Sequence, residues 1–284
     1  MKVFYRPEQT ARNAGASSPS AAKPAQVVND WLRHGLIHKD DVMGFEPVSR
    51  DDLKRAHAAD FVDGVLSLEI ANGFNNRDPE VAASLQYTSG SLLAAAHYAV
   101  VHSENVCSPT SGFHHAGYDF VEGYCTFNGL MVTALTLLAS GAVRTIGIID
   151  CDAHYGNGTD DIIDRLNVAG IRHHSMGKYF QEKSDVGRNG TTFLAWLNRA
   201  IDDCRDVELV IFQAGADPHV KDPLGGMLTT AAMYKRDLAV FKAFQGRPLV
   251  WNLAGGYQRD ENGGIEPVLK LHSNTLEAQR VYQP

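Results

Sequence analysis

In the stretch DCDAHYGNGTD, residues 150–160, Asp150, Asp152 and His154 fall at alternating positions directly after the apolar run 145–149. If the extended backbone continues through them, alternate side chains share a face and all three point together. Two carboxylates and an imidazole so crowded would repel or titrate abnormally unless a cation sat among them. The bland alternative is that Asp150 caps a loop and Asp152 begins a turn. A third ligand should come from another loop. Asp217 in QAGADPH, residues 213–219, is the best placed, because it follows the apolar run 209–212 and precedes Pro218. One imidazole, two carboxylates and an open position make the pattern of a catalytic zinc. Ferrous iron or another divalent ion would accept the same set.

Upstream, SGFHHAGYDFVEGYC, residues 111–125, carries the adjacent pair His114 and His115 between Gly112 and Ala116-Gly117. Small residues let the backbone come close to a ligand. A His pair near a metal-activated water supplies a general base and a general acid. Alone, the same pair reads as part of a surface loop.

The elements that must position these loops are short and apolar. Residues 209–212 are a continuous apolar run, 143–149 and 249–253 are predominantly apolar with Arg144 and Asn252 as interruptions, and 3–5, 105–107 and 171–175 are weaker ones. Runs without alternation indicate parallel strands covered on both faces. Phe193, Trp196, Leu197, Ala200, Ile201 and Cys204 recur at helical spacing, as do Leu92, Leu93, Ala96, Ala99 and Val100, and Tyr234, Leu238 and Phe241. Strand and helix in alternation predict a parallel sheet in a layered α/β domain. Ligands gather at the carboxyl ends of such strands. Segments 150–160, 213–219 and AGGYQRD, 254–260, all arrive there. Residues 14–24, rich in Ala and Ser, read as a surface loop, and 1–284 as a single domain.

A net charge of −7 argues against nucleic acid as a partner. The N-terminus lacks a basic segment followed by an apolar core, and no apolar run approaches the ~20 residues that cross a bilayer. A soluble, cytoplasmic protein with no membrane partner is expected. Cys107, Cys125, Cys151 and Cys204 form no CxxC pair, so they are expected reduced and mostly buried. His57, His97, His102 and His272 read as packing or surface residues.

GFHHAGYDFVEGYCTFN (112–128), DCDAHYGNGT, QAGADPHVKDPLGG and LAGGYQRD resemble, in order, the signature segments of the histone deacetylase superfamily. That superfamily includes bacterial acetylpolyamine amidohydrolases, and the resemblance runs from about residue 50 to 260. It implies an arginase/deacetylase-like three-layer α/β fold, with a central, mostly parallel, eight-stranded sheet flanked by helices. It implies a zinc-dependent amidohydrolase that releases acetate from an acetylated amine, either acetyl-lysine or an acetylpolyamine, with room for a homo-oligomer. Carried over, Asp152, His154 and Asp217 hold one Zn²⁺. His114 and His115 form the acid/base pair, with Asp150 orienting His114 and Asn157 behind His115. Tyr257 meets the substrate carbonyl, and Gly123 and Tyr124 line the acyl tunnel. A structural K⁺ is implied at Ser175 and Met176 with the loop of Asp150, Asp152 and His154.

Three departures stand out. Tyr155 replaces a second His after the ligand His. SPSAAKP, residues 18–24, replaces an N-terminal His-Pro-type loop. MGKYFQEKSDVG, residues 176–187, is short, so the second tunnel aromatic falls to Tyr179 or Phe180. An arginase-type ureohydrolase would need a further Asp where Tyr155-Gly156 stand. A catalytically silent binder of acetylated ligands would keep the fold, yet Tyr257, both histidines and all three ligands are present.

Overall fold

The computed structural model describes residues 1–12 and 18–283. Its seven strands are β1 (Val3–Phe4), β2 (Val42–Met43), β3 (Asn105–Ser108), β4 (Ile146–Asp150), β5 (Ile171–Ser175), β6 (Leu209–Gln213) and β7 (Leu249–Asn252). They form one sheet in the order β2-β1-β3-β7-β6-β4-β5, and every adjacent pair is parallel. The expected fold is therefore present, with seven strands among the described residues rather than eight. The sequence reading missed β2, an edge strand of two half-buried residues, too short to show an apolar run.

Helices cover both faces, which is why the strand runs are unbroken. Ile149, Val210, Phe212, Leu249 and Trp251 enter one core, while Ile146, Ile148, Leu209, Ile211 and Val250 enter the other. Neighbouring residues thus alternate between two dry layers. The helices are α1 (Lys23–Arg33), α2 (Arg50–Leu53), α3 (Ala59–Leu66), α4 (Pro79–His102), α5 (Gly129–Ala139), α6 (Asn157–Arg165), α7 (Thr191–Asp203), α8 (Thr230–Ala243) and α9 (Glu266–Val281). The helical periodicities noted above fall within α4, within α8, and across α7 and its cap Cys204. All four cysteines are unpaired and buried. Among the described residues, no helix is long and apolar enough to cross a membrane.

The expected surface loop at 14–24 is corrected in part. Residues 14–17 lie outside the described residues. Ser18 and Ser20 are buried, and Lys23 and Pro24 already belong to α1, with Lys23 fully buried. The Ala/Ser composition concealed this, because small residues suit close packing as well as loops.

His57 ties the loop that carries the His pair to α5. Its Nδ1 donates to Gly117 O (2.8 Å), and its Nε2 accepts from Asn128 N (2.8 Å). Burial pushes its pKa down to about 4 from 6.5. The folded protein thus binds fewer protons than the unfolded chain, and stability is lost as pH falls from 6.5 towards 4. The loss at pH 5 is on the order of 2 kcal/mol. Urea unfolding of wild type and His57→Gln at pH 7 and 5 tests this. The wild type should lose more stability between those pH values by about that amount; equal losses would refute the linkage.

Candidate active site

β4 ends at Asp150, and the extended backbone ends with it. Residues 152–154 form bends rather than continuing the strand, so the shared-face argument fails locally. Asp152 nevertheless meets His154, because its Oδ1 accepts His154 N (3.0 Å) and lies 3.0 Å from His154 Nδ1. Asp217, at the end of β6, brings Oδ2 to 3.0 Å from the same Nδ1. One donor atom from each of Asp152, His154 and Asp217 falls within a mutual 4.8 Å. Asp217 Oδ1 is buried and has no hydrogen-bond partner among the described residues. Burial, then Asp152, push the Asp217 carboxyl up to about 8. Asp152 is held well below the usual range, since His114 and His154 outweigh its burial. His154 Nε2 lies 3.1 Å from Leu224 O, which can only accept. That bond puts a proton on Nε2, while Asp152 and Asp217 hold a second one on Nδ1 and raise the ring to about 11, so Nδ1 is the position a cation would take over. An orphaned oxygen, an opposed carboxylate and an imidazole nitrogen aimed between the two acids together fit a divalent cation.

Asp150 lies behind this trio. Its Oδ1 accepts Asp152 N (3.1 Å) and Gln213 Nε2 (3.0 Å), and its Oδ2 takes His114 Nδ1 (2.8 Å). Burial alone would lower His114, but Asp150 and Asp152 outweigh it and raise it to about 9. His115 stands beside it with ring centroids 4.1 Å apart. Its Nδ1 lies 2.7 Å from Asn157 Oδ1, at the start of α6. Burial, then the neighbouring His114, push His115 down to about 4. Within the pair the two shifts thus run in opposite directions, and His115 is the ring pushed towards the neutral form. The segment 156–159 caps and opens α6.

The segment after β7 closes the site. Gly255 N donates to Asp152 Oδ2 (2.8 Å), and a Cβ on Gly255 would lie 2.6 Å from Asp217 Cγ. Only glycine permits that approach. Lys23 Nζ donates to Ala254 O (2.6 Å) from beneath, and burial lowers its pKa to about 8. Asp222, which the sequence reading passed over, accepts Tyr257 N (2.7 Å) and Gln258 N (3.1 Å) on one oxygen and Leu224 N (3.0 Å) on the other. One carboxylate thus joins the Tyr257 segment to Leu224, whose carbonyl holds His154. Only its Asp-Pro context could have marked Asp222 in sequence.

The mouth is a cleft of about 480 Å³ that His115, His154, Asn157, Glu122 and Phe180 help to line. Tyr179 is 60% exposed and packs on Trp196 away from this cleft, so of the two it is Phe180 that lines the cleft, together with Tyr155. Gly123 lies on the His115 ring. Tyr124 packs between Phe74 (5.7 Å) and Tyr257 (5.9 Å) and lines a separate cavity of about 50 Å³. Ser175 is the ladder partner of Asp150, and its Oγ accepts Gly156 N (2.9 Å). Met176 is buried at the end of that strand. His219 does not reach the metal trio; it bonds Gln258 and Thr230. A second group of potential ligands, His174, Asp203 and Cys204, shares no residue with the site.

A parallel α/β sheet carries at its carboxyl edge a two-Asp, one-His cluster that could hold a metal ion, with a His pair alongside, which is a hydrolase class of site. The histone deacetylase domain family matches residues 18–183, and the chain belongs to that family. It is 28% identical over 275 residues to an uncharacterized protein of Picosynechococcus sp., covering 88% of this chain and 90% of that one. It is 31% identical over 205 residues to the acetylpolyamine amidohydrolase of Mycoplana ramosa, covering 63% of this chain but only 58% of that protein. The crystal structure of the HDA15 HD domain superimposes with a TM-score of 0.76 at 19% identity, covering 98% of this chain and 88% of that one.

Proposed function

We propose that residues 1–284 act as one catalytic domain, a zinc-dependent deacetylase that hydrolyses the amide of an acetylated amine. The observation that carries this reading is the convergence of Asp152, His154 and Asp217 beside the His114–Asp150 and His115–Asn157 pairs. These three residues would hold the ion. Once bound, such an ion supplies Lewis-acid polarisation of a carbonyl and lowers the pKa of water.

The chain's own residues do the rest. Neutral His115 takes a proton from the attacking water, then gives it to the amine nitrogen as the C–N bond breaks. Protonated His114, held by Asp150, keeps positive charge beside the carbonyl carbon under attack. The Tyr257 hydroxyl donates to the oxyanion, and burial keeps that phenol protonated. Acetate and a free amine result. A structural K⁺ at Ser175, Met176 and the loop of Asp150, Asp152 and His154 belongs to the same reading, since buried oxygen donors suit a hard cation. Cytoplasmic residence, without nucleic-acid or membrane partners, follows from the charge and hydropathy.

The test incubates zinc-loaded protein with acetyl-lysine peptides and acetylpolyamines and measures acetate. Release from at least one class is expected; release from none would refute the reading. Asp222→Ala should orphan the N–H groups of Tyr257, Gln258 and Leu224, at about 1–3 kcal/mol for each that stays buried. The misplaced Tyr257 should lower kcat roughly tenfold or more. Urea unfolding and steady-state kinetics read the two effects separately. An unchanged kcat would remove Asp222 from the positioning of Tyr257.

A further inference from the structure

We propose that Glu122 is a positioning residue that locks His115 in the tautomer protonated on Nδ1, leaving Nε2 as the bare nitrogen. The inference rests on the deacetylase reading only for its kinetic arm. Glu122 Oε2 lies 2.7 Å from Asn157 Nδ2, and Asn157 Oδ1 lies 2.7 Å from His115 Nδ1. A carboxylate only accepts, so the amide nitrogen must face Glu122 and the amide oxygen must face the ring. That oxygen also only accepts, so Nδ1 must carry the hydrogen. A neutral imidazole has a single N–H, so Nε2 is left with its lone pair. Asn157 alone cannot enforce this, because a flipped amide would offer its NH₂ to Nδ1 and favour the opposite tautomer.

The backbone builds Glu122 into place. Glu122–Cys125 is a tight turn, with Glu122 N to Cys125 O at 3.3 Å and Cys125 N to Glu122 O at 2.8 Å. Its central residues, Gly123 (φ 53) and Tyr124 (φ 65), are both left-handed, the type I′ pattern. A Cβ on Gly123 would lie 2.3 Å from His115 Cδ2, so the turn rests directly on the ring it serves. A left-handed Tyr is a strained choice, and strain of this kind clusters at sites that need a set geometry. Glu122 is exposed, and its carboxylate accepts the Asn157 amide at the rim of the cleft.

The experiment uses the full zinc-loaded chain with ¹⁵N-labelled histidine. His115 is assigned by its loss in His115→Gln, and its ring nitrogens report the tautomer. Wild type should show a protonated Nδ1 and a bare Nε2. Glu122→Lys puts a donor where only an acceptor stood, so the amide should turn and the ring should move to the Nε2–H form. Glu122→Gln can still accept and should keep the wild-type pattern. Kinetically, Glu122→Lys should lower kcat by about 10²-fold, the low end for a lost general base. Glu122→Gln should restore kcat to within about threefold. Repulsion between Lys and a cationic substrate would appear instead in KM and fade with salt. An unmoved His115 spectrum in Glu122→Lys, or equal kcat in the Lys and Gln variants, overturns the proposal. If no substrate turns over at all, the spectra still decide it, so the two failures are distinguishable.

Discussion

Tyr257→Phe is expected to lower kcat by about 10²–10³-fold while KM changes little. The hydroxyl is asked to act only once the carbonyl oxygen gains charge, so its loss falls on the transition state rather than on ground-state binding. The fold should tolerate the change. Tyr257 is held through its backbone N–H by Asp222 and through its ring by Tyr124, and Phe keeps both contacts. Burial, then the charges of Asp152 and Asp217, hold the phenol well above its ordinary pKa, so it stays a donor at working pH. Single-turnover and steady-state kinetics on the best substrate of the panel check this. A variant with wild-type kcat would show that the hydroxyl takes no part in the reaction. A wild type that binds acetylated amines without releasing acetate would point to a silent binder.

Asp217→Asn is expected to abolish retention of a divalent ion, and with it turnover, while leaving the metal-free fold as stable as wild type or more so. Two buried carboxylates face each other across His154, and Asp217 Oδ1 has no partner among the described residues. Without a cation, burying this crowded acid cluster is costly, as the Asp217 carboxyl pushed up to about 8 by burial and then by Asp152 shows, and a neutral amide relieves that cost. With a cation, the same charges become the binding energy. Zinc at about 100 times its Kd should stabilise wild type by about 2.7 kcal/mol. The variant should show almost no such shift. Thermal unfolding with and without zinc, paired with metal analysis after dialysis, reads this without any substrate. An equal zinc-dependent shift in both proteins would remove Asp217 from the ligand set.

Much of the site was legible before any coordinates. Asp150, Asp152, His154 and Asp217 each follow a buried strand, and charge at the end of an apolar run needs a reason. The reason given was partly wrong: the strand stops at Asp150, and the bend that joins Asp152 to His154 is closed by Asp152 itself. The surface loop expected at 14–24 is buried at Ser18 and Ser20 and gives way to α1 at Lys23 for a related cause. Lys23 is a charged residue in an Ala/Ser-rich stretch, and nothing local shows that it is buried beneath Ala254, 231 positions away.

By itself, the amino-acid sequence determined the layered parallel fold, the order of the loops at its edge and the side chains able to bind a metal or move a proton. Those properties are local: apolar runs, helical spacing, and acids and histidines set just past them. Only the tertiary structure set the opposite shifts of His114 and His115, brought Leu224 O to His154 Nε2, and put the Asp222 carboxylate under the Tyr257 segment. These depend on burial and on hydrogen bonds between segments tens of residues apart. A side chain's charge and tautomer are set by what the fold packs against it, and residue type and spacing do not carry that information.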